Sequence, residues 1–385
     1  MEDQINNNNN KHVIDNEKEE KLYAHYDHSD PFARSRWTAR ECYDFMYRRR
    51  WDCVSQFYSR VVDGSLSLSC LFSSPGSPDE RESRCAGFED LEAVAEATGK
   101  HRQRGGRWAR NTFRIGVAYH GGSFDGWQKQ PRLNTVQGLI ERMLGRFVDE
   151  RKAQQLKERS LPVEGCTNVA GRTDKGVTAL GQVCSFYTWR KDIKCDDIED
   201  TINSAAPGKL RTIFVSEVPR TFHPNFSAKW RHYFYIFPLS GGDKPNSFSV
   251  SKVNNLLCQL EGQSLSYRMF ARDTKASRSI GPPTECFIFH ARAVEARLPC
   301  TNKVCGEEHK VMCVELVANR FLRKMVRVLV ATSIREAAAG SDCDALLNLM
   351  DATCRRATAP PAPPDGLCLA DVGYREFRKE DCLIH

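Results

Sequence analysis

The chain has 385 residues, 41% of them apolar and 27% charged, which excludes a stapled miniprotein or a wholly disordered chain and allows two or three domains. Lys and Arg number 56 against 49 Asp and Glu, a net charge of +7 that suits a polyanionic partner. No run approaches the roughly 18 to 20 apolar residues of a membrane helix, so no membrane association is expected.

Residues 1–21 carry a run of asparagines and alternating acids and lysines, and are expected to be disordered. They lack the apolar stretch of a secretion signal and the acid-poor character of a transit peptide, so an intracellular protein is expected. Over 22–71 aromatics return, with Trp37, Tyr43, Phe45, Tyr47 and Trp51 threaded among Arg34, Arg36 and Arg40. The segment reads as helix, either docking on the core with a solvated basic face or contacting nucleic acid. Ser73, Ser74, Pro75, Gly76, Ser77 and Pro78 mark a linker. Residues 22–110, ending in the basic run Arg102, Arg104, Arg107 and Arg110, are taken as one N-terminal extension.

The organised core starts near Thr112. Phe113, Ile115 and Val117 alternate as a half-buried strand, Gly121, Gly122 and Gly126 mark a loop, and Thr135 is placed to cap a helix bearing Val136, Ile140, Met143 and Phe147. Strands follow at 183–187 and 212–218, separated by a helix at 197–205 that Pro207 and Gly208 stop. In the second half, 232–237 and 311–317 read as strands and 321–339 as a long helix closed by Gly340. A short helix at 345–350 and a proline-rich turn at 360–364 lead to a closing strand at 367–372.

This punctuation lacks the G-x-G-x-x-G of a dinucleotide fold, and no P-loop occurs. Sixteen cysteines are scattered without regular spacing and read as reduced thiols. Cys300, Cys305, His309 and Cys313 are the nearest thing to a zinc signature, but zinc favours tight pairs two to four residues apart, so no metal ligand is expected.

The segment that carries chemistry is Ala170-Gly171-Arg172-Thr173-Asp174-Lys175-Gly176-Val177-Thr178-Ala179-Leu180-Gly181-Gln182-Val183. Asp174 lies between two cations in a glycine-flanked loop, and cationic neighbours keep a carboxylate ionised and oriented. Such a group can act as a nucleophile or stabilise an oxocarbenium-like sugar. From spacing alone, a surface turn with local ion pairs is the simpler reading.

The string closely resembles the active-site loop of the tRNA pseudouridine synthase A (TruA) family, whose usual form is G-R-T-D-x-G-V-x-A followed by G-Q-V. Tyr119-His120-Gly121-Gly122 with Phe124, Gly126-Trp127-Gln128 and Thr135-Val136-Gln137 resemble the family's opening strand, loop and helix. Phe222-His223, Phe226-Ser227-Ala228, Arg231, Tyr233 and Tyr235 follow in its order, then Phe321-Leu322-Arg323-Lys324-Met325-Val326-Arg327. Thr358-Ala359-Pro360 with Gly366-Leu367 resemble its C-terminal signature, and the match spans about 112–374.

The resemblance implies an α+β fold: two mixed β-sheet domains with flanking helices around a basic RNA-binding cleft, here an N-terminal catalytic subdomain at 111–222 and a C-terminal one at 223–380. It implies an isomerase that converts uridine to pseudouridine in tRNA, in the anticodon stem-loop, without a cofactor. Asp174 matches the catalytic aspartate, which either attacks C1′ or removes the C2′ proton. Arg172 would pair with that carboxylate and fill the space left by the flipped nucleotide. Tyr233 would stack on the target uracil and help move the C5 proton, and Arg327 would pair with Asp174 across the cleft. Gln128, Lys175 and Arg231 complete the expected substrate contacts. The bacterial relatives are homodimers, so a homodimer is expected here.

Several positions depart from the family pattern. Thr178 stands where His or Ser is usual, Asn225 where Arg is usual, and Ala331 where Gly is frequent, while 240–252 and 300–309 have no family counterpart. Two other readings compete: a catalytically inactive RNA-binding homologue acting as a tRNA chaperone, and a hydrolase using paired carboxylates, for which no second acid sits in a comparable motif. Residues 22–110 are expected to enlarge the tRNA footprint, so that a chain starting near Gly105 keeps its turnover and binds tRNA more weakly.

Overall fold

The computed structural model describes residues 32, 35–72, 110–240, 248–272, 283–299, 309–352 and 354–385. The strands are β1 (Asn111–Tyr119), β2 (Thr167–Val169), β3 (Thr178–Thr188), β4 (Leu210–Glu217), β5 (Trp230–Pro238), β6 (Ser264–Ser266), β7 (Glu285–Leu298), β8 (His309–Ala318) and β9 (Leu367–Gly373). The helices are α1 (Ala39–Tyr47), α2 (Trp51–Asp63), α3 (Val136–Leu144), α4 (Glu150–Glu158), α5 (Cys195–Asn203), α6 (Val250–Cys258), α7 (Met325–Ala339) and α8 (Ala345–Asn348). No helix among the described residues is long and apolar enough to cross a membrane.

One mixed nine-stranded sheet runs through both halves in the order β4-β1-β3-β9-β5-β8-β7-β6, with β2 paired to β3. The expected α+β class therefore holds, with a single sheet serving both halves. The join is β9, parallel to β3 on one side and antiparallel to β5 on the other. On the front face, Phe113, Ile115 and Val117 pack under α3 and α5, while Leu316, Val314 and Phe237 pack under α6 and α7.

Most expected elements are present, within a few residues. Thr135 caps α3 by accepting the Gly138 amide at 3.3 Å. Gly340 closes α7 at φ 81°, a left-handed conformation that suits glycine. The expected helix at 321–339 begins four residues late, at Met325, because Lys324 lies at φ 61° and a left-handed residue cannot continue a right-handed helix. Three long elements went unread. β7 contains Ala291-Arg292-Ala293-Val294-Glu295-Ala296-Arg297, whose residues favour helix, and a register shift between Ile288 and His290 breaks its alternation. α4 buries none of its residues, and α6 starts inside the 240–252 insertion.

The N-terminal segment is not a detachable extension. Thr38 and Glu41 form a capping box that starts α1, and Gly64 ends α2 at φ 90°. Val54, Phe57, Tyr58 and Val61 of α2 cover the back of the sheet, against Phe234, Ile236, Cys313 and Cys368. The buried Tyr58 hydroxyl donates to the Gly366 carbonyl at 2.9 Å, and Trp51 packs edge-on against Tyr235 and Phe237. Arg36 makes a two-pronged ion pair with Glu336 of α7 at 2.9 to 3.1 Å. The docking-helix alternative therefore describes 35–72, and a chain starting near Gly105, expected to keep its turnover, would leave the apolar back face to water. The linker, the arginines at 102–107 and the Cys300 and Cys305 pair lie outside the described residues.

Removing the Tyr58 ring takes away both this packing and a buried hydrogen bond. Tyr58→Ala is expected to lower unfolding free energy by about 3 to 5 kcal/mol, the usual cost of truncating a buried aromatic, while the exposed Gln56→Ala stays near wild type. Denaturant titration of the two variants checks this. Equal stabilities would mean that α2 is an appendage.

Candidate active site

Asp174 sits at the end of a loop between β2 and β3 that is clamped from beneath. The Ala170 amide donates to the Val183 carbonyl at 2.9 Å, and Gln182, wholly buried, donates from Nε2 to the Gly171 carbonyl at 2.7 Å. Thr173 turns inward: its hydroxyl meets the Tyr119 hydroxyl at 2.6 Å, and its carbonyl accepts the Trp127 amide at 3.1 Å. Gly176 at φ 85° closes the turn, where the Val177 amide returns to the Asp174 carbonyl at 3.2 Å. The string read from the sequence is thus a rigid mount, and its Gly-Gln-Val tail serves as the brace.

The carboxylate projects into a cleft of about 1240 Å³ between the two halves of the sheet. Two guanidinium groups face it from the other side, Arg323 Nε at 3.8 Å and Arg327 Nη1 at 3.7 Å, and Asp174 keeps 32% of its side chain exposed. Arg327 is nearly buried in the first turn of α7 and is aimed by a 2.6 Å hydrogen bond from its Nε to the Ala362 carbonyl. Arg323 precedes the helix, and the left-handed Lys324 between them turns the chain so that both arginines reach one carboxylate. The sequence reading placed Arg327 correctly and passed over Arg323, although the spacing of four in the Phe321-to-Arg327 string offered the signal.

Tyr233 of β5 stands in the same cleft, ring edge-on to Phe321 with centroids 5.0 Å apart. Burial pushes its hydroxyl up to about 12, opposed by the nearby Arg231 charge and reinforced by Asp174. It therefore remains a phenol throughout the neutral range.

One expected pair is not made, and two residues expected to contact substrate have partners within the protein. Arg172 does not pair with Asp174; it is exposed and makes no ion pair among the described residues, because Thr173 beside it points into the core and turns Arg172 outward. Arg231 is a brace at the cleft wall: its guanidinium donates to the carbonyls of Asn319 and Asn225 and to the Asn225 side chain, each at 2.8 Å. Asn225, which departs from the family pattern, is thereby used within the protein. Lys175 is exposed at the rim in a 2.8 Å pair with Asp125, a hydrogen bond that holds the Asp125 carboxyl below its usual range. Gln128 lines the cleft and is exposed. Thr178, another departure, accepts the buried Gly121 amide at 3.1 Å.

Phe226 carries part of the family resemblance, but the sequence reading assigned it no role. It is 82% exposed, its ring tilted against His223 with centroids 4.3 Å apart at the cleft. An aromatic so placed offers a surface on which a base can stack. Arg172, Arg323 and Lys175 supply positive charge around it.

A family profile described as tRNA pseudouridine synthase matches residues 290–375. A protein named tRNA pseudouridine synthase A from Chlorobium limicola is 32% identical over 266 residues, covering 68% of this chain and 99% of that protein. Proteins of the same name from Geotalea daltonii and Thermotoga neapolitana are 29% and 27% identical, covering 67% and 65% of this chain and 97% and 94% of their own lengths.

The loop mount has little room for change. A Cβ at Gly121 would fall 2.4 Å from the Gly176 carbonyl oxygen, backbone that carries the turn after Asp174. Gly121→Ala is expected to cost about 1 to 3 kcal/mol by overpacking, whereas Gly122→Ala meets only the His120 ring at 3.0 Å and costs less. Thermal unfolding of both variants decides it; indistinguishable midpoints would mean that the loop yields.

Proposed function

The chain belongs to the tRNA pseudouridine synthase A family, and from that membership we propose that Asp174 is the catalytic carboxylate with which it isomerises uridine to pseudouridine in tRNA, at a position in the anticodon stem-loop. The observation that carries this reading is one carboxylate held on a braced loop, faced by Arg323 and Arg327, in a cleft that also contains Tyr233.

The bond from C1′ to N1 must break, the uracil must turn, and a bond from C1′ to C5 must form. N1 gains a proton and C5 loses one, so the reaction neither consumes nor yields electrons. Asp174 serves the first step either by attacking C1′ or by taking the C2′ proton. Its two arginines hold the carboxylate toward the cleft and do not need to move. Tyr233 packs its ring on the uracil and carries a protonated hydroxyl, a donor or relay for protons at the base edge.

A uridine inside a stem or a stacked loop has to leave its neighbours to reach Asp174. Arg172, exposed beside Asp174 and without an ion pair among the described residues, is the side chain available to enter the vacated stack, and its planar guanidinium suits that place. Phe226 and Gln128 complete the base-facing surface, while Lys175 and Arg323 meet phosphates. The same reading includes a homodimer, as the family resemblance implies, and an intracellular setting, which the unpaired state of all the described cysteines supports.

Asp174→Asn is expected to abolish pseudouridine formation while tRNA affinity stays nearly unchanged, since affinity is spread over many phosphate contacts. Substantial turnover would remove Asp174 from the chemistry. Tyr233→Phe, which keeps the ring, is expected to lower turnover by about 10²-fold or more with affinity retained, the range for losing a proton-transfer group. Because the hydroxyl stays protonated beyond pH 10, ionisation of Tyr233 should not bend the rate profile between neutrality and that pH. A rate equal to wild type in Tyr233→Phe would assign the proton to another group.

A further inference from the structure

A second cluster of chemically capable side chains lies on the back of the sheet. His232 of β5, His290 of β7 and Glu315 of β8 share that face with Phe234 and Cys313, and Cys382 of the C-terminal tail packs onto it beside Trp230 and Val317. All four are buried, Glu315 completely, with exposures of 8%, 3%, 0% and 5% in the order His232, His290, Glu315, Cys382. One ligand atom each from His290, Glu315 and Cys382 falls within 4.8 Å of the others.

The contacts within the cluster are close without being hydrogen bonds. His232 Nε2 lies 2.8 Å from Glu315 Oε1 and His290 Nε2 lies 3.5 Å from Oε2, yet these ring nitrogens have no hydrogen-bond partner because the approach is too oblique. On its other side, His290 Nδ1 faces the Glu261 carboxylate at 3.4 Å, and that carboxylate is anchored by the Ala291 amide at 2.7 Å. A carboxylate behind one ring nitrogen, with the other turned toward a shared centre, is the arrangement that orients a metal-bound imidazole. The Glu315 oxygens also accept the Leu383 and Ile384 amides at 2.7 to 3.1 Å, fixing the carboxylate and the tail together.

We propose that His290, Glu315 and Cys382 bind a structural zinc ion, with His232 holding Glu315 from the side. Mixed nitrogen, oxygen and thiolate donors suit zinc and disfavour magnesium or calcium. The charges also balance, since one carboxylate and one thiolate neutralise a divalent ion in a place where an unpaired charge is costly. This departs from the sequence-based expectation of no metal ligand, because the donors come from three separate segments and no short spacing announces them. The site is not catalytic: residues 232 and 233 point to opposite faces of β5, so the ion would sit behind the sheet while Tyr233 faces the cleft. It would pin the tail to β7 and β8, next to the strand that carries Tyr233.

The test is metal content, which does not depend on the isomerase reading. Full-length protein purified without chelator is expected to hold one zinc per chain by elemental analysis. Stripping with a strong chelator should lower the thermal midpoint, and added Zn²⁺ should restore it. Cobalt substitution should give a thiolate-to-metal absorption band that is absent from Cys382→Ser. Both Cys382→Ser and the milder His290→Gln should lose the zinc and the thermal response, whereas Cys166→Ser, at an exposed cysteine outside the cluster, keeps them. Wild-type protein with no zinc and no thermal response to Zn²⁺ would overturn the proposal. So would full zinc content in Cys382→Ser, which would place the ion elsewhere, for instance at Cys300 and Cys305.

Discussion

The site depends on the placement of one short strand. β9 enters the sheet between β3 and β5, and its Leu369 is the direct neighbour of Ala179 on one side and of Tyr233 on the other. Ala179 is the second residue of β3, just after the loop that carries Asp174. With neighbouring strands about 4.8 Å apart, Leu369 sets the gap between the strand that continues the Asp174 loop and the strand that holds Tyr233. Slipping β9 by one residue would turn Leu369 to the back face and Cys368 to the front, so both cores oppose it. The last strand of the chain thus closes a site whose other parts come from segments far earlier in sequence.

The two halves contribute differently to the electrostatics. The N-terminal half holds Asp174 with neutral groups, chiefly Thr173, Tyr119 and Gln182, while the C-terminal half brings the positive charge on Arg323 and Arg327. Neither half alone orients the carboxylate. Docking α7 against β5 and β8 therefore completes the centre, and Arg36, paired with Glu336 near the far end of that helix, ties the N-terminal segment to the same assembly.

What the sequence made legible follows the physics of each signal. Alternating apolar residues marked β1, and Thr135 marked the start of α3, because such signals are local. The Ala170-to-Val183 string located the Asp174 loop for the same reason, since Ala170, Thr173, Gly176, Gln182 and Val183, which brace it from within, are in the string. Directions of side chains were not legible. Arg172 was expected on Asp174, but the inward turn of Thr173 sends it to solvent, and only the fold shows that Arg323 takes that place. Arg231 looked like a substrate contact because its charge is visible and the carbonyls it binds are not. The 35–72 segment read as an attachment because the apolar back face it covers is formed by strands hundreds of residues later.

The central claim is that this cleft exchanges a carbon–nitrogen for a carbon–carbon glycosidic bond with the uracil retained. It is tested most directly with tRNA tritiated at uridine C5. The account predicts tritium released to water, matched one for one by pseudouridine at a defined anticodon stem-loop position, with no free uracil. Tight tRNA binding with no tritium release, or release of uracil from the RNA, would contradict it.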